Sequence, residues 1–311
     1  MADRIHAGKV IVITGASSGF GKGVARRFAA AGASVVLAAR RGNLIDELAR
    51  ECTMLAGASA SGADAVGLGS ARAYETDVSN KVAVEALASE TLNQFGRIDV
   101  WINNAGVGAY GRFQEIPLED HVKVITTDLL GALFGSYFAI KQFEKQGGGT
   151  LINVASEVGK VPLGFLSSYS AAKHGVVGLT SAIRQEIHEM GPRNVHVCTV
   201  MPSAMDTPFF EHAANYSGHE TVPPEPVYDP QEVIDVIFDL ATTPRDEVVV
   251  GNAGKRAVFM HGLAPGRVER QAGHSHFKTV FEEAPPGPVT RGSVAAPMDS
   301  GTEVRGGWRR E

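Results

Sequence analysis

The sequence predicts one α/β domain, a doubly wound parallel sheet of seven strands with helices on both faces, followed by a C-terminal extension. Three observations predict it. Short, β-rich apolar runs alternate with longer stretches of helical period up to about residue 250, and a glycine-rich turn joins the first run to the first helical stretch. The composition, 44% hydrophobic and 20% charged, is that of an ordinary globular domain rather than a disordered or membrane chain.

Residues 9–14, 34–39, 71–76, 98–102, 150–154, 195–200 and 247–250 have the length and β-branched content of strands. Residues 21–31, 44–55, 81–94, 118–145, 167–190 and 231–241 carry apolar side chains at three- and four-residue spacing and are the helix candidates. Right-handed crossovers then place a helix over each pair of parallel strands, alternately on the two faces. Three segments break the rhythm. Residues 56–70 are rich in Gly, Ala and Ser and suit a surface insertion. Residues 203–230 lack a period, hold Pro208, Pro223, Pro224, Pro226 and Pro230 beside apolar Phe209 and Phe210, and suit a mobile substrate-binding loop. From Glu282 the chain is Pro/Gly-rich and aperiodic, so its last stretch, about thirty residues, is expected to be extended or disordered. The expected division is 1–255 for the nucleotide-binding and catalytic domain and 256–311 for the extension, in a chain of 311 residues.

A formal net charge of -5 without a basic run gives no electrostatic footprint for nucleic acid or an anionic membrane, which leaves small-molecule chemistry. Cys52 and Cys198 are too few for a disulfide framework and form no Cys-x-x-Cys pair, which fits a reducing, cytoplasmic setting. The apolar run at 10–13 is too short for a signal sequence or a membrane span. His274 and His276 are close in sequence, but no carboxylate or thiol stands at ligand spacing, so both are read as surface residues and no metal is expected.

Directly after the first strand comes Thr14-Gly15-Ala16-Ser17-Ser18-Gly19-Phe20-Gly21, opening a helix. Glycines there permit a tight turn and let a pyrophosphate approach backbone N–H groups where the helix dipole favours negative charge. The spacing Gly-x-x-x-Gly-x-Gly resembles the glycine motif of short-chain dehydrogenases/reductases, with Phe20 where that family usually has Ile. At the end of the second strand Ala39 fills the position of an acidic residue that would accept from the 2′-hydroxyl of NAD. Arg40 and Arg41 follow, and forked guanidiniums suit the 2′-phosphate of NADP, so NADP(H) is expected over NAD; the alternative is that both arginines merely solvate a helix start. Ser17 could add a phosphate hydrogen bond. Asp77-Val78 resembles the family's adenine-contacting pair, though Asp77 could equally belong to the capping of the next helix. Asn103-Asn104-Ala105-Gly106 matches a family signature that steadies the sheet and lines the cofactor cleft.

Tyr169 and Lys173 stand one helical turn apart on the same face, so the cation is expected to favour the phenolate of a side chain that ordinarily titrates near ~10. Ser156 closes the fifth strand thirteen residues before Tyr169, the family's spacing for the serine that holds the substrate oxygen. Where the family commonly has Asn-Leu-x-Gly, with an asparagine carrying a water-linked proton path to the lysine, this chain has Asp128-Leu129-Leu130-Gly131. After the sixth strand, Pro202-Ser203 and Thr207 resemble the family's Pro-Gly segment and its nicotinamide-carboxamide threonine, with Ser203 replacing glycine. The resemblance spans roughly residues 8 to 255. It implies an NADP(H)-dependent oxidoreductase that interconverts a carbonyl and an alcohol, with Tyr169 as general acid/base, Ser156 positioning the oxygen and Lys173 on the nicotinamide ribose. It also implies a homodimer or homotetramer through helices 118–145 and 167–190. The rival reading is a catalytically silent NADP-binding sensor, which has no use for a tuned proton donor.

Overall fold

In the computed structural model, which describes residues 5–58 and 69–309, the first strand has no polar face. All five residues of β1 (Val10–Thr14) are buried, as in a parallel sheet covered on both sides. The chain continues through α1 (Gly19–Ala30), β2 (Ser34–Ala39), α2 (Gly42–Ala58), β3 (Ala71–Glu75), α3 (Lys81–Phe95), β4 (Val100–Asn103) and the two-residue β5 (Ala109–Tyr110). Next come α4 (Leu118–Ile125), a π-helical turn (Thr126–Leu130), α5 (Gly131–Gln146), β6 (Gly149–Val154), α6 (Ser167–Met190) and β7 (Val195–Pro202). The remainder holds α7 (Phe209–His212), β8 (Ala214–Asn215), α8 (Pro230–Leu240), β9 (Glu247–Val250), α9 (Asn252–Leu263), α10 (Pro265–Phe277), a second π-helical turn (Lys278–Glu283) and α11 (Gly292–Ala295). The body of the expected insertion at 56–70 lies outside the described residues.

Seven of these strands form one parallel sheet in the order β3-β2-β1-β4-β6-β7-β9. The order reverses between β1 and β4, and a crevice opens there at the carboxyl ends of the strands, where doubly wound sheets bind ligands. Alternate residues of each strand face opposite layers. Ile11, Ile13, Leu37 and Ile152 join Phe28 and Ile234 in one core, whereas Val12, Val36, Trp101 and Leu151 join Leu87 and Phe143 in the other. Both cysteines are buried, and burial, the leading cause, raises the thiols of Cys52 and Cys198 to about 12 and about 11. Helix ends follow local chemistry. Asn80 caps α3 by accepting from Val82 N–H, Gly96 ends it at φ +75°, and Asp229 caps α8 with Pro230 at its first helical position.

The layers are locked by a buried amide cluster. Asn103 accepts from the Trp101 indole N–H (2.8 Å) and donates to Asn153 Oδ1 (2.8 Å), and Asn153 in turn donates to Thr180 Oγ1 (2.9 Å), joining β4, β6 and α6. Replacing Asn103 with Leu leaves the Trp101 N–H and Asn153 Oδ1 short of partners. With each orphaned group costing about 1–3 kcal/mol, a loss of ~3 kcal/mol is expected in urea unfolding. A change under ~1 kcal/mol would mean that water replaces the amide.

Residues 203–230, where the aperiodic sequence suggests only a mobile loop, carry α7 and β8. β8 pairs in parallel with β5, Tyr110 opposite Asn215, and the segment buries Phe210, Ala213 and Ala214. Past Ala284 the chain lies across this segment, bridging Asn215 to Thr290 and His219 to Pro286. Asp120, fully buried on α4, ties the layers together by accepting from both Tyr216 and Arg291.

Candidate active site

The glycine turn is held against the end of β4 by Thr14. Its hydroxyl accepts from the Asn104 and Ala105 N–H groups (3.0 and 3.2 Å), and the Asn104 amide donates to Thr14 O (2.9 Å). So close an approach leaves no room for side chains. A Cβ on Gly15 would stand 2.8 Å from Ala105 Cα, and one on Gly21 would stand 2.3 Å from Gly15 O. Gly21 therefore packs behind the turn and does not line the cleft, while Gly15, Ser17, Ser18, Gly19 and Phe20 do. Gly19 has φ +53° and faces Thr207 across the opening.

Arg40, Arg41, Asp77 and Val78 line the far end of the cleft, beyond the turn. The Arg41 guanidinium donates to Ser17 Oγ (3.0 Å) and Ser18 Oγ (2.7 Å), and through its remaining nitrogen to the carbonyls of Met298 (3.1 Å) and Ser300 (3.2 Å). Arg40 donates to Ser293 O (2.7 Å). The tail thus lies over this end of the cleft, and farther on Gly19 N–H donates to Glu303 O (2.9 Å) and the Trp308 indole to Thr207 O (3.0 Å). Asp77 accepts from Ser79 N–H and Oγ, at 2.9 and 2.6 Å, and pairs with Lys123, while Asn80 performs the capping of α3. Burial pushes the Asp77 carboxyl upward, but Ser79 and Lys123 outweigh it and hold it below the usual carboxylate range.

Where β6 ends and α6 begins, Ser156, Tyr169 and Lys173 converge on the cleft beside Asn104, Ala105, Gly106, Pro202 and Thr207. The Ser156 hydroxyl accepts from Val158 N–H (3.2 Å) and donates to Pro202 O (3.4 Å). Lys173 Nζ lies 5.4 Å from the Tyr169 ring centroid, donates to Val154 O (3.2 Å) and pairs with Asp128 Oδ2 (3.3 Å). Asp128 sits in the π-helical turn behind the wall, does not line the cleft, and accepts from Val107 N–H (2.8 Å). Gly106 makes room for the pair, since a Cβ there would stand 3.1 Å from Asp128 Oδ2.

The expected lowering of the Tyr169 pKa by Lys173 is not what the structure contains. Burial pushes the phenol up, and the Asp128 carboxylate pushes it further in the same direction, while the Ser156 hydroxyl opposes them. The physical reason is that the lysine charge is matched at 3.3 Å by Asp128. Burial likewise raises Asp128 itself, against the pull of Lys173.

Several cleft residues had no sequence signal. Glu157, next to Ser156, accepts from Ser203 Oγ (3.1 Å), and Gly254 N–H donates to the same hydroxyl (3.2 Å), so the serine in place of glycine ties the β6 and β9 ends together. Tyr110 and Leu163 also line the wall, beside Leu166 and the Phe209 and Phe210 of the segment expected to bind substrate. His276 corrects the surface reading, being 3% exposed and set in the same wall, whereas His274 is exposed. A run such as Gln271 to Phe277 offers no apolar period from which its inward face could be found.

Residues 9–216 match the model of the family described as short chain dehydrogenase. The chain is 32% identical over 309 residues to an uncharacterized oxidoreductase of Bacillus subtilis, covering 97% of this chain and 82% of that protein. It is 37% identical over 199 residues to a meso-2,3-butanediol dehydrogenase of Serratia marcescens, covering 64% and 72% respectively. Among solved structures, levodione reductase superposes with a TM-score of 0.66 at 27% identity, over 79% of this chain and 96% of that one.

Proposed function

From the premise that this chain belongs to the short-chain dehydrogenase family of oxidoreductases, we propose that it is an NADP(H)-dependent enzyme interconverting a ketone or aldehyde with its alcohol. One observation carries the reading. Ser156, Tyr169 and Lys173, distant from the glycine turn in sequence, share a single cleft with it. The names of the relatives, a diol dehydrogenase and a levodione reductase among them, support the reaction class.

The residues fit a nicotinamide dinucleotide. The turn at 15–20 opens onto the cleft through a left-handed glycine, and two arginines line the end where Ala39 stands in place of an acidic residue and Asp77 is paired with Lys123, which supports NADP(H) over NAD. That cofactor, when bound, supplies or accepts the hydride. Asn104, Ala105, Gly106, Pro202 and Thr207 complete the wall for its nicotinamide half, and Lys173 would hold the ribose hydroxyls. Ser156 Oγ orients the substrate oxygen, and Tyr169 gives that oxygen a proton in reduction or takes one in oxidation. Burial keeps the phenol protonated, the form that donates to a carbonyl oxygen in reduction, so oxidation needs the higher pH at which it ionises. A screen of carbonyl compounds that follows NADPH absorbance tests the reading. No turnover of any of them with either nucleotide would reject it.

Asp128 acts here as a positioning residue behind Lys173. Its charge raises the Tyr169 pKa, so Asp128→Asn should bring the pKa down. The rising limb of kcat/KM against pH in alcohol oxidation, and the falling limb in reduction, should both move to lower pH, with nucleotide affinity nearly unchanged. Profiles superposable on wild type would reject a role for the carboxylate. Exposed Leu118, Val122 and Tyr137 on α4 and α5 support a homo-oligomer formed through those helices, to be read by gel filtration. Two buried free thiols are compatible with a cytoplasmic setting.

A further inference from the structure

The end of the cleft beyond the catalytic trio is apolar, walled by Val158, Leu163, Leu166, Phe209 and Phe210, yet two polar side chains are set into it. His276, from α10, is 3% exposed, and neither ring nitrogen has a hydrogen-bond partner. Tyr110, from β5, is 2% exposed, and its hydroxyl takes no hydrogen bond among the described residues. The two rings lie 6.0 Å apart. Leaving a buried donor or acceptor unpaired costs about 1–3 kcal/mol, a cost that falls on the imidazole, and the phenol hydroxyl stands beside it without a partner. They are also firmly placed. Phe165, held at φ +62° next to the pocket, packs edge-on against Phe281 at 4.8 Å and near Phe277 at 6.0 Å, docking the end of α10 that carries His276 and the turn after it. Burial holds the imidazole neutral, with a pKa near 4, so it offers one donor and one acceptor rather than a charge.

We propose that the C-terminal extension completes the substrate pocket, His276 and Tyr110 binding a second, uncharged oxygen at the far end of an otherwise apolar carbonyl substrate. The substrate class is therefore a hydroxyketone or diketone, and a simple alkyl ketone is disfavoured because it leaves both groups unpaired. A carboxylate or phosphate in that position is disfavoured too, since neither side chain carries positive charge at neutral pH. This assignment rests on the hydride-transfer reading only for the identity of the first oxygen.

The test uses the full chain saturated with tetrahydro-NADP, whose saturated nicotinamide ring can neither give nor take a hydride, so that neither the ketone nor the hydroxyl end can react. Hydroxyketones of graded length, 4-hydroxycyclohexanone, 5-hydroxypentan-2-one and 7-hydroxyheptan-2-one, are titrated by calorimetry against counterparts bearing methyl in place of hydroxyl. At least one hydroxyl compound should bind about tenfold or more tightly than its methyl partner. That ratio should fall to near one in His276→Phe and decrease in Tyr110→Phe, which removes a single oxygen and guards against a folding defect in the first variant. No preference in any pair, no binding of any ketone, or a preference indifferent to both substitutions overturns the proposal. Turnover with NADPH is measured in parallel. Selective binding without turnover would reject hydride transfer and keep this site, while turnover without selectivity would do the reverse.

Discussion

Tyr169→Phe should lower kcat by about 10²–10⁴-fold, the usual contribution of a positioned general acid, with nucleotide binding little changed. The expectation follows from what surrounds the phenol. Tyr169 is 9% exposed, packed 5.2 Å from the Phe209 ring, and shares the cleft with Ser156. Phenylalanine fits the same space, so packing is preserved and only the transferable proton is lost. Ser156 can still donate to the developing oxyanion, which keeps a residual rate above that without enzyme. Steady-state rates with NADPH and the best ketone of a screen give the measurement, with nucleotide affinity read by fluorescence titration. A kcat within threefold of wild type would mean that the proton comes from elsewhere.

Replacing Arg40 and Arg41 together by alanine should raise the KM for NADPH by roughly ten- to a hundredfold or more, at about 1.5–3 kcal/mol for each hydrogen bond to a charged group, and change that for NADH far less. Arg41 already spans Ser17, Ser18 and the tail carbonyls, so its guanidinium is aimed at the rim of the cleft and not into bulk water. A phosphate is a stronger acceptor than the carbonyls of Ser293, Met298 and Ser300, and exchange of one for the other is favourable. NADH is the internal control for damage caused by loosening the tail. Equal losses with both nucleotides would show that the arginines serve the tail and not the 2′-phosphate.

The sheet was legible because β1, β2, β4, β6 and β7 are buried on both faces and so read as continuous apolar runs. The residues that meet in the cleft were legible where short spacings fix geometry, as with Tyr169 and Lys173 one turn apart. What the sequence could not supply was pairing over long distance. Asp128 was seen as a substituted asparagine, but the 3.3 Å contact that cancels the lysine charge comes from a π-helical turn with no signature of its own. α9 and α10 escaped because, apart from Gly254 and His276, they bury almost nothing, so no apolar stripe marks them. The tail escaped for a similar reason: over the cleft it is held by its backbone carbonyls, which every sequence possesses, and elsewhere by single side chains such as Arg291 and Trp308 that form no periodic pattern.

Cys52 and Cys198, each 1% exposed, also make the molecule a clock for its own unfolding. A thiol with a pKa of about 12 or about 11 behind a closed core gives almost no thiolate to an alkylating or disulfide reagent. Labelling must wait until the surrounding β-layers part. Under a moderate dose of reagent, the rate at which absorbance from thiol modification accumulates therefore reports the fraction of time the core stands open, without denaturant, heat or any assay of turnover.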